Sequence, residues 1–117
     1  AGMPGVQTLL PILLNEVSKK LITITDVVRL TSYNPKKIFK FKNKGLIKKG
    51  YDADFTFVDL NKKQKVSNKM VKSRCGWTPF HGMNIQGWPV GTMIMGKKVF
   101  WKGKLVSKPI GQPLKFN

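Results

Sequence analysis

The pattern that most constrains the fold of this chain lies in residues 88–107, "WPVGTMIMGKKVFWKGKLVS". Apolar runs are separated there by short turns that contain Gly96 and Gly103. Runs rich in β-branched and aromatic residues, bounded by glycine turns, are typical of strands joined by tight hairpins. We therefore expect a β-meander in this part of the chain.

The segments before and after the meander predict a further strand and two irregular stretches. In "GYDADFTFVDL" a turn leads into a strand, because Phe55 and Phe57 alternate with their neighbours. Residues 61–88 are punctuated by glycine and proline and predict a loop. Residues 108–117, "KPIGQPLKFN", predict an extended tail without a core of its own.

The first third of the chain predicts three short helices. Apolar residues at helical spacing follow Thr8, where the first helix is expected to begin. In the second helix we expect Thr25 to be the N-cap, with Asp26 favoured by the positive N-terminal end. The third repeats this signal, with Asn34 as N-cap and Pro35 as its first residue. Only a cap is expected to separate the last two helices.

The order of these elements is unusual for a self-sufficient domain. The 117 residues and the 41% hydrophobic content are sufficient for one domain with a core. Yet the apolar faces of the helices have few partners among the elements that follow. The chain also begins "AGMPG", without an initiator methionine. We therefore expect a piece of a larger protein.

The chain is strongly basic, with 22 lysine and arginine residues, 5 acidic residues and a net charge of +17. Such a field attracts phosphate backbones and anionic lipid head groups. Several aromatic residues near lysines could stack on bases: Phe39, Phe41, Phe100 and Trp101. However, 20 of the 22 cations are lysine, which provides point charges instead of bidentate base contacts. No helix-turn-helix, zinc-finger or ribonucleoprotein motif and no membrane-spanning run is present, so a solvated lysine surface is the favoured interpretation. A non-catalytic basic module that binds nucleic acid is the alternative.

"KSRCGWTPFHG", residues 72–82, holds the only cysteine and the only histidine. A thiol nucleophile needs an imidazole bonded to its sulfur, and the turn between Cys75 and His81 could bring the two together. Nothing nearby would orient the ring, and one residue of each type is too few for zinc. We therefore interpret Cys75 as a small buried residue and His81 as a loop residue. Trp77 and Phe80 are expected to fill the edge of a core.

Asp52 and Asp54 in "GYDAD" form a second candidate site. Paired carboxylates can perform acid–base chemistry or bind calcium. No further ligands lie close in the sequence. A turn in which Asp52 bonds nearby backbone amides before the strand is therefore the favoured interpretation.

In their order and spacing, five segments resemble the C-terminal portion of the dihydroorotases, which are cyclic amidohydrolases: "AGMPGVQTLLPILL", "ITDVVRLTSYNPKKIF", "KGLIKKGYDADFTFVDL", "KSRCGWTPFHGM" and "GWPVGTMIMGKKVFWKGKLV". The match covers nearly the whole chain. Allantoinases and hydantoinases share much of the pattern, but "CGWTPF" and "GMPGVQTLLP" favour dihydroorotase. The resemblance implies an α/β fold from the C-terminal end of a metal-dependent TIM-barrel hydrolase and its adjoining small β-sandwich. Residues 1–44 would be the helical end of the barrel, and residues 45–117 the sandwich portion with its connecting loop and tail.

The resemblance also implies what this chain contributes to the reaction. The family's metal ligands and catalytic aspartate precede the matching region, so no catalytic or metal-binding residue is expected here and the chain alone should be inactive. The backbone groups of Ala1 and Gly2 are expected to contact the substrate ring, and glycine suits such a close approach. Zinc is the implied cofactor of the complete enzyme, and dihydroorotate and carbamoyl-aspartate are its small-molecule partners. The resemblance further implies that this chain packs against the upstream barrel, and that the complete enzyme is a cytoplasmic homodimer.

Overall fold

The structure, a computed structural model, describes residues 2–117. Its α-helices are α1 (Leu9–Ser18), α2 (Ile24–Val28) and α3 (Asn34–Phe39). Its strands are β1 (Phe55–Lys65), β2 (Asn84–Ile94), β3 (Lys97–Trp101) and β4 (Lys104–Leu105), with a short 3-10 turn at Asn68–Met70. The strands form a sheet in the order β1-β2-β3-β4.

The chain divides into two compact units. Residues 2–22 and 59–88 form the first unit, and residues 23–58 and 89–117 form the second. Each of the long strands β1 and β2 contributes to both units, because the division falls within them.

The core of the first unit is formed by Val66, Ile85 and Trp88, which are all buried. Partly buried apolar side chains surround this centre: Ile12 of α1, Met70, Phe80 and Met83. The indole N–H of Trp88 donates to the carbonyl of Ile85 at 3.0 Å, so the buried donor is satisfied. Phe80 therefore fills a core edge as predicted.

Helix α1 lies directly against β2 within the first unit. Leu14 is 1% exposed, and a Cβ placed on Gly87 would lie 2.6 Å from the Cβ of Leu14. Gly87 also has a φ of +103°, which disfavours any other residue. The helix begins after Thr8, as predicted, and the proline in its first turn is buried.

The N-cap of α2 is Thr23 and not Thr25, which lies inside the helix. The Thr23 hydroxyl accepts the Asp26 N–H at 3.1 Å, and the Asp26 carboxylate accepts the Thr23 N–H at 2.9 Å. This reciprocal capping box satisfies two backbone donors at once, which a cap at Thr25 would not do. The placement of Asp26 in the first turn is confirmed.

The second and third helices are not separated by a cap, contrary to the prediction. Residues Arg29–Tyr33 form a π-helical turn that joins them, and Asn34 is helical at φ −65° and ψ −46°. Pro35 has no N–H to donate, and in a regular α-helix its ring would collide with the carbonyl four residues earlier. The wider turn, in which the Asn34 N–H donates to the Arg29 carbonyl, accommodates the proline without a break.

The meander predicted from the glycine turns is confirmed. Strand β2 pairs antiparallel with β3, and β3 pairs antiparallel with β4. Both turns have consecutive positive φ angles, 50° and 77° at Met95 and Gly96 and 49° and 83° at Lys102 and Gly103. These are the angles of a type I′ hairpin turn, which matches the twist of the strands.

The long strands extend further than predicted. Strand β1 continues to Lys65 and β2 begins at Asn84, so the predicted loop at 61–88 is wrong at both ends. The added residues of β1 are mostly polar and exposed. Backbone pairing does not require apolar side chains, so the alternation that marks a half-buried strand is missing there.

The helices of the second unit leave most of their apolar side chains exposed. Val27 is the buried residue of α2, while Val28, Ile38 and Phe39 are 54%, 70% and 57% exposed. The helix faces that the sequence predicts to lack partners are therefore exposed within the described residues.

Candidate functional site

The predicted ligand-contacting backbone lies at the start of the chain. Ala1 lies outside the described residues, and Gly2 is exposed. A Cβ on Gly2 would have no atom within 4 Å, so the backbone there is open to approach. The carbonyl of Gly5 accepts the N–H groups of Thr8 at 3.2 Å and Leu9 at 3.0 Å, which fixes residues 5–9 as a turn leading into α1.

The side chain of Gln7 joins this turn to a distant segment of the first unit. Its Nε2 donates to the Met70 carbonyl at 2.7 Å, and its Oε1 accepts the Lys72 N–H at 2.8 Å. Both amide atoms therefore have defined partners more than 60 residues away in sequence. Sequence reasoning missed Gln7, because no local pattern indicates contacts over such a separation.

A second set of hydrogen bonds fixes the loop that contains "CGWTPFHG". The Asn68 side-chain oxygen accepts the Thr78 N–H at 3.0 Å, and Nδ1 of His81 accepts the Asn68 N–H at 3.0 Å. The Thr78 hydroxyl accepts the Phe80 N–H at 3.2 Å, and Thr78 is 5% exposed. His81 thus lies in a loop, as predicted, where its ring supports backbone structure.

Cys75 is exposed, which contradicts the interpretation of a small buried residue. The Gly76 N–H donates to the Ser73 carbonyl at 3.1 Å, and this turn directs the cysteine side chain outward. Its Sγ lies 3.7 Å from the Trp77 carbonyl, and Trp77 is itself 44% exposed instead of filling a core edge. Nδ1 of His81 accepts the Asn68 N–H, so the neutral ring carries its proton on Nε2 and has no nitrogen free to accept the thiol proton. The thiol and the ring therefore do not form a catalytic pair.

Lys44 bridges the two carboxylates of "GYDAD". Its Nζ lies 3.0 Å from Asp52 Oδ2 and 2.5 Å from Asp54 Oδ2. Asp54 Oδ1 also accepts the Met95 N–H at 2.8 Å, which ties the carboxylate to the turn after β2. The predicted turn is therefore held by a lysine and by Asp54, and not by Asp52 bonding nearby amides.

These contacts shift the pKa values of Lys44 and Asp54. Burial alone would raise the pKa of Asp54, but hydrogen bonds from Lys44 and from the Met95 N–H outweigh it and hold that pKa below its usual value. The hydrogen bonds to Asp54 and then to Asp52 raise the pKa of Lys44. Both shifts favour the charged forms of Lys44 and Asp54, and the Lys44 ammonium contacts both carboxylates, which is the behaviour of a structural cluster and not of an acid–base pair.

No group of three or more histidine, cysteine, aspartate or glutamate side chains that could hold a metal occurs within residues 2–117. The described residues therefore do not fit zinc, and no reaction step through a metal is assigned to them. None of the helices in this range is long and apolar enough to cross a bilayer.

An open groove of about 450 Å³ lies in the first unit and was not predicted. Polar side chains line it, including those of Asn15, Ser18, Lys63, Lys65 and Asn84. Asn15 is 5% exposed, and its Oδ1 accepts the Gln86 N–H at 3.0 Å, so its role is to join α1 to β2.

Three of the four aromatic rings proposed to stack on bases, those of Phe39, Phe41 and Trp101, have ring or cation partners within the second unit. Phe39 stacks on Phe41 with ring centroids 5.7 Å apart, and Phe41 contacts Phe116 at 5.6 Å. Lys98 Nζ lies 4.3 Å from the ring centroid of Trp101, and this ring also meets Phe57 edge-on. These contacts give the rings a structural role.

Comparison with known proteins gives consistent results. The sequence profile of the amidohydrolase family matches residues 6–99. A dihydroorotase from Pyrococcus furiosus is 40% identical over 112 residues, covering 96% of this chain and 27% of the relative. A dihydroorotase from Methanosphaera stadtmanae is 42% identical over 96 residues, covering 82% of this chain and 22% of the relative. L-Hydantoinase (dihydropyrimidinase) from Arthrobacter aurescens matches in structure with a TM-score of 0.87 and 33% identity, over 92% of this chain and 24% of that chain.

The chain spans about a quarter of the length of these relatives. The resemblance to dihydroorotases that the motifs predict is confirmed, because those relatives match most of the chain. The predicted fold class, the α/β C-terminal end of a TIM-barrel amidohydrolase with its β-sandwich strands, is confirmed by the matching hydantoinase structures. Since the family profile covers residues 6–99 of the 117, this chain belongs to the amidohydrolase family.

Proposed function

We propose that this chain is the C-terminal segment of a dihydroorotase, which interconverts N-carbamoyl-aspartate and dihydroorotate in pyrimidine biosynthesis. The observation that carries the proposal is the similarity of nearly the whole chain to proteins named dihydroorotase. Ring closure and ring opening of a cyclic amide require a polarised carbonyl and an activated water, which zinc would supply when bound.

The contribution of this segment to the site is backbone. We assign the main-chain groups of Ala1 and Gly2 to the substrate ring, because Gly2 is exposed and has free space around its Cα. The turn from Gly5 into α1 supports the described part of this backbone. In this proposal the metal ligands and the catalytic aspartate belong to the rest of a longer protein, which is supported by the chain's match to about a quarter of its dihydroorotase relatives.

The remaining assignments follow from the same proposal. Residues 1–44 complete the barrel, and residues 45–117 supply the sandwich strands, the connecting loop and the tail. The exposed apolar faces of the helices would then pack against the upstream barrel. The proposal places the complete enzyme in the cytoplasm as a homodimer. Light scattering would measure its mass in solution and so test the assembly.

A second candidate is a hydantoinase or dihydropyrimidinase, which also opens cyclic amides. The observation that favours it is the close structural match to L-hydantoinase at a TM-score of 0.87. The two candidates differ in the carboxylate of the substrate ring, which dihydroorotate carries and hydantoin and dihydrouracil lack.

The test is a substrate comparison on the full-length protein that contains this segment, purified with zinc. Dihydroorotate, dihydrouracil and hydantoin are supplied separately, and ring opening is followed by chromatography of the products. Preference for dihydroorotate, abolished by a chelator and restored by zinc, is expected. Preference for hydantoin would replace the first candidate with the second, and no turnover of any ring by the metal-loaded protein would refute both.

A further inference from the structure

The Gln7 side chain joins the turn before α1 to residues 70–72, at the end of the 3-10 turn. Its amide donates to the Met70 carbonyl at 2.7 Å and accepts the Lys72 N–H at 2.8 Å. Neighbouring strands present a carbonyl and an N–H to each other in the same way. The Gln7 side chain therefore substitutes for one residue of a paired strand.

We propose that Gln7 is a positioning residue that holds the Gly2 backbone in place for the ring of the cyclic-amide substrate. This inference rests on the proposed function, because it gives Gly2 a ligand. Gln7 itself does not contact the ligand in this proposal. It acts by bonding the turn between Gly2 and α1, two residues before the helix begins, to residues 70 and 72.

The partner segment of Gln7 is itself well supported. The Met70 N–H donates to the Ser67 carbonyl and the Val71 N–H to the Asn68 carbonyl, both at 3.2 Å. The Asn68 side chain in turn bonds the Thr78 N–H at 3.0 Å. A contact to a segment with these internal bonds restrains the Gln7 turn more than a contact to a free loop would.

The geometry on the other side of Gln7 transmits this restraint toward Gly2. Thr8 is 4% exposed, and both its N–H and its hydroxyl are directed at the Gly5 carbonyl. Residues Pro4 and Val6 line a small cavity together with Val71 and Trp77, so the turn lies against the segment that Gln7 bonds. Release of Gln7 would remove the hydrogen bonds of its side chain to this segment and leave residues 2–6 held by α1 and by the packing of Pro4 and Val6.

The experiment uses the full-length protein and four forms of it: wild type, Gln7→Met, Gln7→Glu and Gln112→Met. Methionine has the length of glutamine and makes neither bond, whereas glutamate keeps an acceptor for the Lys72 N–H. Gln112 is an exposed glutamine in the tail and serves as the matched control. Amide hydrogen exchange of the peptide containing residues 2–6 is measured without substrate, and KM and kcat are measured with dihydroorotate, dihydrouracil and hydantoin.

Gln7→Met is expected to speed exchange in residues 2–6 and to raise KM about threefold to tenfold with kcat within about twofold, since uniform binding is lost. Gln7→Glu should restore KM only in part, because one carboxylate oxygen can accept the Lys72 N–H while the other would face the Met70 carbonyl without a proton to donate. Gln112→Met should resemble wild type in both readouts. Unchanged exchange in Gln7→Met would overturn the positioning role. Faster exchange with unchanged KM in an active enzyme would overturn its connection to the ligand. An inactive wild-type protein would refute the proposed function and the ligand role together, while the exchange data alone would still decide whether Gln7 restrains the turn.

Discussion

Gly91 faces Trp101 across the β2–β3 pair, and the indole ring occupies the space where a side chain at position 91 would lie. A Cβ on Gly91 would be 2.6 Å from two carbon atoms of that ring. The ring also meets Phe57 edge-on at 5.4 Å, so it has little freedom to move away. Close approach of the ring to the backbone therefore requires glycine at this position.

Gly91→Ala should lower the free energy of unfolding of the full-length protein by about 1 to 3 kcal/mol, the usual cost of forcing extra volume into a packed site. Urea denaturation followed by tryptophan fluorescence measures the change. Gly111→Ala is the matched control, since a Cβ there meets nothing within 4 Å. Equal stability of the two variants would show that the Trp101 ring can rotate away at no cost.

Lys44→Met should remove both ion pairs to Asp52 and Asp54 and lower the free energy of unfolding by about 1 to 2 kcal/mol, between the values for exposed and buried pairs. Lys44 contacts both carboxylates, and its side chain is only 23% exposed. Its loss therefore leaves Asp52 and Asp54 without this close cation in a partly buried site. Urea denaturation at pH 7 measures the change, and Lys49→Met, at an exposed lysine, is the control. A loss no larger than that of the control would contradict the structural role of the cluster.

The contribution of the cluster should depend on pH. Hydrogen bonds from Lys44 and the Met95 N–H hold the pKa of Asp54 below its usual value although burial opposes them. A group with a lowered pKa in the folded state stabilises the protein above its unfolded pKa and loses that effect as the pH falls. The stability difference between wild type and Lys44→Met should therefore be full at pH 7 and shrink as the pH falls below about 3.9, the ordinary pKa of aspartate. A difference that stays constant down to acid pH would contradict this assignment.

Thr23→Ala should raise the pKa of Asp26 from its value of about 2 part of the way toward 3.8. The Thr23 N–H is the largest cause of the lowered pKa, followed by the hydrogen bond from Arg29 and then the one from the Thr23 hydroxyl. Alanine removes the hydroxyl alone, so the shift is partial. Carboxyl chemical shifts in an NMR titration measure it. Thr25→Ala should leave the pKa unchanged, and a shift there equal to that of Thr23→Ala would restore Thr25 as the cap.

The isolated 117-residue chain should bind a dye specific for exposed apolar surface, such as ANS, far more strongly than the full-length protein does. Val28, Ile38 and Phe39 are all more than half exposed in the helices. Apolar patches of this kind normally lie against another part of a protein. Titration of the dye at equal molar concentration is the measurement. Equal dye binding by both proteins would contradict the proposal that an upstream barrel covers these side chains.

The features predicted correctly from the sequence are those determined by a few adjacent residues. The hairpin turns at Gly96 and Gly103 require positive φ angles, which restricts the residues that can form them. The start of α1 after Thr8 depends on apolar spacing and on a proline in the first turn. In both places the local chain determines the local structure.

The N-cap of α2 could also have been predicted from adjacent residues. Thr23 and Asp26 are three residues apart, which is the spacing of a capping box, whereas Thr25 lies next to Asp26. By contrast, the continuous helix through Pro35 depends on a π turn, and proline after asparagine ordinarily indicates a helix start. The spacing rule would have identified the cap, but no rule of residue type would have identified the turn.

The contacts that define the candidate site connect residues far apart in sequence. Gln7 bonds residues 70 and 72, and Asp54 bonds the backbone of Met95. Neither partner is a charged or aromatic side chain that a motif could contain, since each is a backbone group. Only the folded chain brings them together. The exposed position of Cys75 was missed for a related reason, because its direction depends on the turn at Gly76.

The position of β1 at the edge of the sheet has a consequence for how the chain avoids self-association. An edge strand of 11 residues presents unpaired backbone groups on which a second chain could add as another strand. Its second half carries Lys62, Lys63 and Lys65, whose charges repel a copy of themselves placed alongside. The opposite edge, β4, is only two residues long and offers little to pair with. These lysines therefore disfavour the addition of a second copy of the chain along β1.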